Sequence, residues 1–368
     1  MKSLKDLLKL SAKLLIFVPI FAFMVFCNYR IDPSGLFFGA GFERTASEYM
    51  LEGNAIKGYE RLDGRKLNEV YAKNVPYAPQ VIVNGSSRSM TITSDILCPS
   101  KTFYNAGNVG ADRYDFFTSY YIFAKEGKEP ETMVLSLDAW LFNSSEEAID
   151  KRSDKQLYYQ FMNEELGFTE YTYTTDDATD KEKYKALVSP SYFQAAIKYY
   201  LRDTSGEIMP EVVEGDLYSQ NEVVKCSDGS IVYDVAYRNR TADQINQSLI
   251  EETYVGAPLM NMADFNELDP VFTQQLEAFI KYLQNKGIRV ILYLPPYHDY
   301  FYGVAQARIN EHPAFFEVEP YCRNLAEKYG LEIYGSYDAK SIGLVFEDFW
   351  DSYHMNPESL SKFLPVIE

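Results

Sequence analysis

The chain has 368 residues, is 46% hydrophobic and carries a formal net charge of −18. This length and hydrophobic content suffice for one large domain or two ordinary ones. The acidity argues against nucleic acid as a partner and against adhesion to anionic lipid, because both need clustered Lys and Arg. The 31 tyrosines could stack on sugars or serve equally as strand and core residues.

The four cysteines are scattered along the chain at Cys27, Cys98, Cys226 and Cys322. Their spacing matches neither a zinc site nor a CxxC motif, so the sequence predicts no metal site. It also argues against a disulfide-dense scaffold, although one bridge among the last three stays open.

The first 28 residues predict a membrane anchor. Four lysines between positions 2 and 13 precede the apolar run 14–26, as in a signal sequence whose N-terminus stays in the cytoplasm. No small-residue cleavage motif follows this run, which favours an uncleaved transmembrane helix over a cleaved signal. We therefore expect a single-pass protein of the cytoplasmic membrane, with residues 29–368 forming an extracytoplasmic domain.

The elements of that domain follow in chain order. A polar helical stretch is predicted up to about Lys73. Short apolar, β-branched runs then predict strands at 80–84, 102–105, 132–137, 288–294 and 331–334. Between and after them, helical patterns occupy 114–125, 270–286, 315–329 and 357–364. Strands alternating with helices predict an α/β fold with a mainly parallel sheet covered on both faces.

The stretch from about 144 to 264 has a different composition. It is acidic and rich in Tyr and Thr, with many turn residues, and residues 230–237 alternate loosely as a strand does. We interpret this stretch as an insertion or lid rather than as a second independent core.

Residues distant in sequence follow the predicted strand ends. Ser87, Gly107, Asp138 and Pro295 each come just after a different strand. Because ligands of parallel α/β sheets bind at the carboxyl ends of the strands, these residues predict a common site.

Ser87 is the predicted nucleophile of this site. Gly85 permits a tight turn after the strand, and the residues after it could start a helix whose N-terminus stabilises developing negative charge. Ser86 is the alternative nucleophile. The three residues would also suit a plain strand-to-helix turn with a capping serine.

His354 is the predicted base and Asp351 the group that orients it. Only three histidines are present, so few side chains can serve as a base near neutral pH. His298 follows a strand and could act as a binding group, whereas His312 is predicted at the surface. The alternative for Asp351 and His354 is a capping or surface pair.

Gly107 and Arg88 are two further predicted site residues, which could stabilise or bind negative charge. The backbone N–H of Gly107 could donate to a reacting oxygen. Arg88 could bind a carboxylate or phosphate of a substrate, or hold Asp138 in a structural pair.

These short blocks resemble the SGNH/GDSL hydrolase superfamily. Gly85-Ser86-Ser87 resembles its first block with the nucleophile, Asn105-Ala106-Gly107 its second with an oxyanion N–H, and Asp351-Ser352-Tyr353-His354 its fifth. The resemblance implies a three-layer α/β/α sandwich with a flavodoxin-like sheet. The chain departs from the superfamily in the third block, where Ser136-Leu137-Asp138 stands in place of the usual Gly-x-Asn. An ionised Asp cannot replace that Asn as a hydrogen-bond donor to the oxyanion.

The predicted anchor, the Gly-Ser-Ser variant and the insertion are similar to envelope-modifying members of that superfamily, such as the alginate O-acetylation proteins and the D-alanyl-lipoteichoic acid biosynthesis protein D. The resemblance implies a serine esterase or acyltransferase, without a metal or cofactor, acting on acyl groups of a cell-envelope polysaccharide or teichoic-acid-like polymer. A membrane-bound O-acyltransferase would be a partner. The alternative is a catalytically weak or inactive glycan-binding partner protein on the same fold.

Overall fold

The computed structural model describes residues 17–32, 37, 41–145, 152–173, 176–203, 209–254 and 259–368. The strands are β1 (Ile56–Lys57), β2 (Val81–Asn84), β3 (Phe103–Asn105), β4 (Thr132–Ser136), β5 (Glu211–Val212), β6 (Val224–Lys225), β7 (Ile231–Val232), β8 (Arg289–Leu294) and β9 (Glu332–Gly335). The helices before the insertion strands are α1 (Val18–Ile31), α2 (Gly41–Leu51), α3 (Gly64–Asn74), α4 (Ser94–Leu97), α5 (Arg113–Ala124), α6 (Lys155–Glu164), α7 (Asp176–Leu187) and α8 (Pro190–Asp203). Those after them are α9 (Val235–Arg238), α10 (Ala242–Glu252), α11 (Pro270–Asn285), α12 (Asp299–Ala307), α13 (Phe315–Tyr329) and α14 (Pro357–Leu360).

A five-stranded parallel sheet forms the centre of the fold, in the order β3-β2-β4-β8-β9. Its strands are the five that the sequence predicts, with boundaries that agree to within one or two residues. The predicted α/β class with a parallel sheet is thereby confirmed.

Both faces of this sheet are buried, because successive side chains of a strand point to opposite sides. One face packs into the larger hydrophobic core and contributes Ile82, Met133, Leu135, Val290, Leu292 and Leu294. The other face packs into a second core with α4 and α14 and contributes Val81, Val83, Val134, Ile291 and Tyr293. Burial on both sides explains why these strands are continuous apolar runs in the sequence.

The order of the strands determines where a site can form. From β2 the chain moves to β3 on one side and then to β4 on the other, so the strand order reverses at β2. Loops that diverge at such a reversal leave a crevice at the carboxyl edge of the sheet. Ser87 and Asp138 follow the two strands that border it.

A second, antiparallel sheet of order β5-β1-β6-β7 joins the predicted insertion to the N-terminal part of the domain. β1 precedes the central sheet in sequence, whereas its partners β5 and β6 lie within residues 144–264. The β6–β7 hairpin also reaches the central sheet, where the N–H of Asn105 donates to the carbonyl of Asp228 (2.8 Å). The insertion is thus hydrogen-bonded to the end of β3.

Helix α1 holds the C-terminal part of the predicted anchor. The side-chain amide of Asn28 donates to the carbonyl oxygens of Ala186 (3.0 Å) and Leu187 (2.9 Å), so α1 packs on the end of α7. Residues 1–16, which contain the predicted basic flank, lie outside the described residues. Within the part of the chain that the structure describes, no helix is both long enough and apolar enough to cross a membrane.

Several local predictions were wrong. Residues 87–90 form a turn rather than the start of a helix, and α4 begins only at Ser94. The helical stretch before Lys73 is divided into α2 and α3 by β1. The last helix ends at Leu360, and residues 230–237 combine the short strand β7 with α9.

Lys225 of β6 is a buried lysine that should make stability depend on pH. It is 1% exposed and its ammonium group donates to the carbonyl of Gly229. Burial disfavours the charged form and lowers the pKa of Lys225 to about 8. The unfolded lysine keeps its proton up to a pH of about 10.4, so the free energy of unfolding should rise with pH between about 8 and 10.4.

We expect Lys225→Met to be more stable than the wild type at pH 7, by up to roughly 3 kcal/mol. The advantage should shrink as the pH rises through the interval from about 8 to 10.4, because the wild-type lysine then becomes neutral when unfolded as well. Urea unfolding at several pH values measures this difference. Lys198→Met, at an exposed lysine, is the control; an advantage of Lys225→Met that did not vary with pH would contradict the assignment.

Candidate functional site

Ser87 is presented by the tight turn that follows β2. Gly85 has a φ of +137°, and a Cβ at this position would lie 2.5 Å from the Cβ of Ser136 on the neighbouring strand β4. Only glycine fits this backbone angle and this close approach. The turn is further held by Ser89, whose N–H (3.0 Å) and hydroxyl (2.9 Å) both donate to the carbonyl of Ser86.

The structure brings His354 to Ser87 across 267 residues of sequence. The Nε2 atom of His354 lies 2.9 Å from the Oγ of Ser87. Both side chains are partly exposed, so a substrate can reach them from solvent. This is the distance at which an imidazole can take the proton of an attacking hydroxyl.

Asp351 holds the other side of the imidazole. Its Oδ2 lies 2.9 Å from His354 Nδ1, and its Oδ1 accepts the backbone N–H groups of Tyr353 and His354, each at 2.8 Å. Burial alone would raise the pKa of Asp351, but the charge and hydrogen bond of His354 and the hydroxyl of Tyr237 outweigh it and hold this pKa well below its ordinary value. An ionised Asp351 keeps the proton of a neutral His354 on Nδ1 and leaves Nε2 to accept from Ser87.

Two tyrosines of the insertion complete the surroundings of this triad, and neither was predicted from the sequence. The hydroxyl of Tyr237 in α9 donates to Asp351 Oδ2 and lies 3.1 Å from His354 Nδ1. The ring of Tyr233 meets that of His354 edge-on, with 5.7 Å between their centroids. The Tyr-rich composition of the insertion was the one available signal, but it did not single out these two among 31 tyrosines.

Loss of the Tyr237 hydroxyl should weaken the triad without removing it. We expect Tyr237→Phe to lower kcat about 10- to 100-fold, as roughly 1.5–3 kcal/mol of a hydrogen bond to a charged group implies. KM should stay unchanged, because the hydroxyl bonds to Asp351 and to the Nδ1 side of His354, whereas the Nε2 side faces Ser87. Hydrolysis of 4-nitrophenyl acetate measures both constants. Tyr233→Phe, which keeps the ring beside His354, is the control, and an equal loss in the two variants would refute the role of the Tyr237 hydroxyl.

Arg88 and Asp138 form an ion pair that is closed to solvent. Arg88 Nη1 lies 3.0 Å from Asp138 Oδ1, and both side chains are 1% exposed. The guanidinium also donates to the carbonyl of Pro295 (2.5 Å) and lies over the ring of Tyr297, 3.8 Å from its centroid. Burial raises the pKa of Asp138, against the opposing effects of Arg88 and of hydrogen bonds from Ser86. Arg88 was predicted either to bind a substrate carboxylate or phosphate or to pair with Asp138. The structure shows the pair with Asp138, and neither side chain is exposed to solvent.

Ser86, the alternative nucleophile, is buried and hydrogen-bonded to other groups. It is 1% exposed, its Oγ accepts the N–H of Arg88 (3.2 Å), and it contributes hydrogen bonds to Asp138. The structure therefore brings Ser87, and not Ser86, to His354.

The backbone N–H groups at the site differ from the predicted oxyanion donors. The N–H of Gly107 donates to the side-chain oxygen of Asn105 (2.9 Å), so it is already engaged. Among the described residues, the N–H of Ser87 donates to no other group, which leaves it available to a reacting oxygen. The side-chain amide of Asn105 in turn holds the carbonyls of Ser89 (2.8 Å) and Ile92 (3.0 Å), so the second block fixes the turn that carries Ser87.

The two other histidines lie inside the protein. His298 caps α12 through its Nδ1, which accepts the N–H of Tyr300 (3.0 Å), and its ring packs on Phe346 and Phe349. Burial lowers the pKa of His298, and a side chain that is 3% exposed is not placed to bind a substrate. The prediction that His312 lies at the surface was wrong: it is 1% exposed, with Nε2 3.1 Å from the carbonyl of Ala305.

In the described part of the chain, no group of three or more His, Cys, Asp or Glu side chains is arranged to hold a metal ion. Comparison of the chain with family models, with curated proteins and with solved structures gives no match. Any assignment of function therefore depends on the geometry of the site and on the short blocks that resemble the SGNH superfamily.

Proposed function

We propose that the chain is a serine-dependent esterase or acyltransferase that acts on acyl groups of a cell-envelope glycan. The observation that carries this proposal is the chain of contacts from Ser87 Oγ through His354 to the carboxylate of Asp351, with 2.9 Å at each step. This arrangement is the one that nucleophilic acyl transfer requires.

The fold is a second support for the proposal that the chain belongs to the SGNH superfamily. Counted along the chain, the central strands lie in the order 2-1-3-4-5, which is the flavodoxin-like order. Cores on both faces of the sheet are what a three-layer α/β/α sandwich requires. The first two blocks that resemble the superfamily lie at the carboxyl edge of this sheet. The block with Asp351 and His354 packs against this edge through the contact of His354 with Ser87.

The proposed reaction proceeds in two steps. Ser87 Oγ attacks the acyl carbonyl while His354 Nε2 takes its proton, and the N–H of Ser87 donates to the oxyanion. The alcohol leaves with the proton from His354, and an acyl group remains as an ester on Ser87. In the second step, either water or a sugar hydroxyl attacks this ester. Attack by water makes the reaction that of an esterase, and attack by a sugar hydroxyl makes it that of an acyltransferase.

A second candidate is a catalytically weak or inactive partner protein of a membrane O-acyltransferase. The specific observation in its favour is the state of the oxyanion groups, since Gly107 N–H is engaged by Asn105 and Asp138 is locked to Arg88. Loss of one oxyanion donor costs about 10²–10³ in kcat. Glycan binding without acyl turnover, unaffected by His354→Ala, would favour this candidate.

The test of the proposal is labelling of the purified full chain with a fluorophosphonate, followed by mass spectrometry of the labelled peptide. We expect the label on Ser87 and none in Ser87→Ala. Ser86→Ala is the matched control, because Ser86 is adjacent yet buried and should not take the label. Absence of label in the wild type, or its appearance on Ser86, would contradict the triad.

The place of action also stays a proposal. The basic flank and apolar run of the N-terminus favour an anchor in the cytoplasmic membrane with the domain outside. Protease digestion of intact spheroplasts tests this orientation, since an external domain would be digested and a cytoplasmic one protected.

A further inference from the structure

A cavity of about 530 Å³ lies beside the triad and is formed jointly by the insertion and the central domain. Its walls are the β6–β7 hairpin with α9, Leu217 with Tyr218, the segment from Thr91 to Ile96, and Trp350 with the segment from Asn356 to Glu358. This volume falls within the range of about 300–1,000 Å³ typical of small-molecule sites.

Tyr233 connects this cavity to the triad. It lines the cavity, and its ring contacts both that of Trp350 (5.5 Å between centroids) and that of His354 (5.7 Å). Trp350 also lines the cavity and precedes Asp351 directly in the chain. A molecule bound in the cavity would therefore lie one aromatic ring away from the base of the triad.

The lining combines aromatic rings with hydroxyl and amide groups. The half-exposed Tyr218 supplies an apolar ring face with a polar edge, beside the partly buried Tyr233 and the buried Trp350, while Ser227 and Asn239 supply hydrogen-bonding groups. Rings of this kind stack on the apolar faces of pyranose units, and the polar groups can bind their hydroxyls.

The walls are held in place by their own hydrogen bonds. The carboxylate of Asp228 accepts the N–H groups of Ser94 and Ser230, each at 3.0 Å, which ties the hairpin to α4. The guanidinium of Arg238 donates to the carbonyls of Tyr233 (2.8 Å) and Tyr218. A site built in this way loses little conformational entropy when a ligand binds.

The charge of the lining decides between classes of glycan. The lining contains three carboxylates, Asp95, Asp228 and Glu358, and a single guanidinium, that of Arg238, which already donates to two carbonyls. The chain as a whole carries a net charge of −18. A polyuronate or a phosphate-linked polymer would meet repulsion both at the cavity and at long range.

We propose that this cavity binds an uncharged stretch of glycan and thereby presents the neighbouring unit of the chain to Ser87. The proposal rests on the proposed function for the role of Ser87, but binding itself does not require the reaction. It narrows the substrate from envelope polymers in general to glycans without acidic groups.

The test is calorimetric titration of the full-length Ser87→Ala protein, in low salt, with neutral tetrasaccharides of glucose, mannose and N-acetylglucosamine and with a galacturonic acid tetrasaccharide. We expect at least one neutral tetrasaccharide to bind at least tenfold more tightly than the anionic one. No binding of any neutral probe, or equal or tighter binding of the anionic probe, would overturn the proposal. Because Ser87→Ala cannot form an acyl-enzyme, these results do not depend on whether the chain is an enzyme.

Variants locate the binding within the cavity. Tyr218→Ala removes an aromatic wall at a half-exposed position and should weaken neutral-glycan binding at least tenfold. Tyr184→Ala, at an exposed tyrosine of α7 that does not line the cavity, is the control and should bind as before. In a variant carrying Asp95→Asn and Glu358→Gln, affinity for the anionic probe should rise. Unchanged binding by Tyr218→Ala would overturn the location.

Discussion

Replacing Ser87 by alanine is expected to reduce turnover of an acyl ester at least about 10³-fold, because no acyl-enzyme can form without its hydroxyl. His354→Ala should cost a similar factor, since the Nε2 atom that lies 2.9 Å from Ser87 Oγ is the base of the same step. The measurement is the steady-state kcat/KM of each variant with 4-nitrophenyl acetate.

The double variant is the informative control. Residues that act as one unit lose activity non-additively, so Ser87→Ala with His354→Ala should be scarcely slower than either single variant. Ser86→Ala should retain its activity to within a few-fold. Full activity in Ser87→Ala, or losses that multiplied in the double variant, would contradict a shared catalytic unit.

The central sheet could be predicted from the sequence because each of its strands is buried on both faces. The run from Val81 to Asn84 is apolar and β-branched and ends at a glycine, and such a pattern has few other solutions. The position of Ser87 followed from one further rule, that the loops of a parallel sheet gather at the carboxyl ends of its strands. That His354 would act with it was predicted from the Asp351-x-x-His354 spacing and from the resemblance to the SGNH superfamily.

What the sequence could not supply were contacts that depend on how the insertion folds back. Tyr237 reaches Asp351 because the β6–β7 hairpin docks on the end of β3, a pairing that leaves no periodic pattern in the sequence. His312 was misplaced for a related reason, since its polar neighbours indicated the surface while its ring packs beside Phe315 and Phe316. Local composition does not determine burial where tertiary packing decides it.

The insertion is therefore a structural part of the site rather than an addition to it. It supplies a hydroxyl to Asp351, a ring against His354 and one wall of the neighbouring cavity. A movement of the hairpin would change all three together, so an occupant of the cavity and the alignment of His354 should influence each other.

The largest effect on stability is expected from the buried pair of Arg88 and Asp138. Asp138→Asn keeps the shape of the side chain but leaves the guanidinium without a counter-charge at a position that is 1% exposed. We expect the free energy of unfolding to fall by about 3–5 kcal/mol, the range for breaking one partner out of a buried pair. Urea unfolding followed by circular dichroism measures the change.

Removing both charges should restore most of this loss, because a buried ion pair contributes little compared with apolar side chains of similar volume. We therefore expect Arg88→Met with Asp138→Leu to be more stable than Asp138→Asn alone, although Arg88 also holds the carbonyl of Pro295 (2.5 Å). Glu332→Gln is the control, because its pair with Arg289 is about 40% exposed on both sides and should contribute at most about 1 kcal/mol. A change below about 1 kcal/mol in Asp138→Asn would show that Asp138 is not paired with Arg88 as the structure describes.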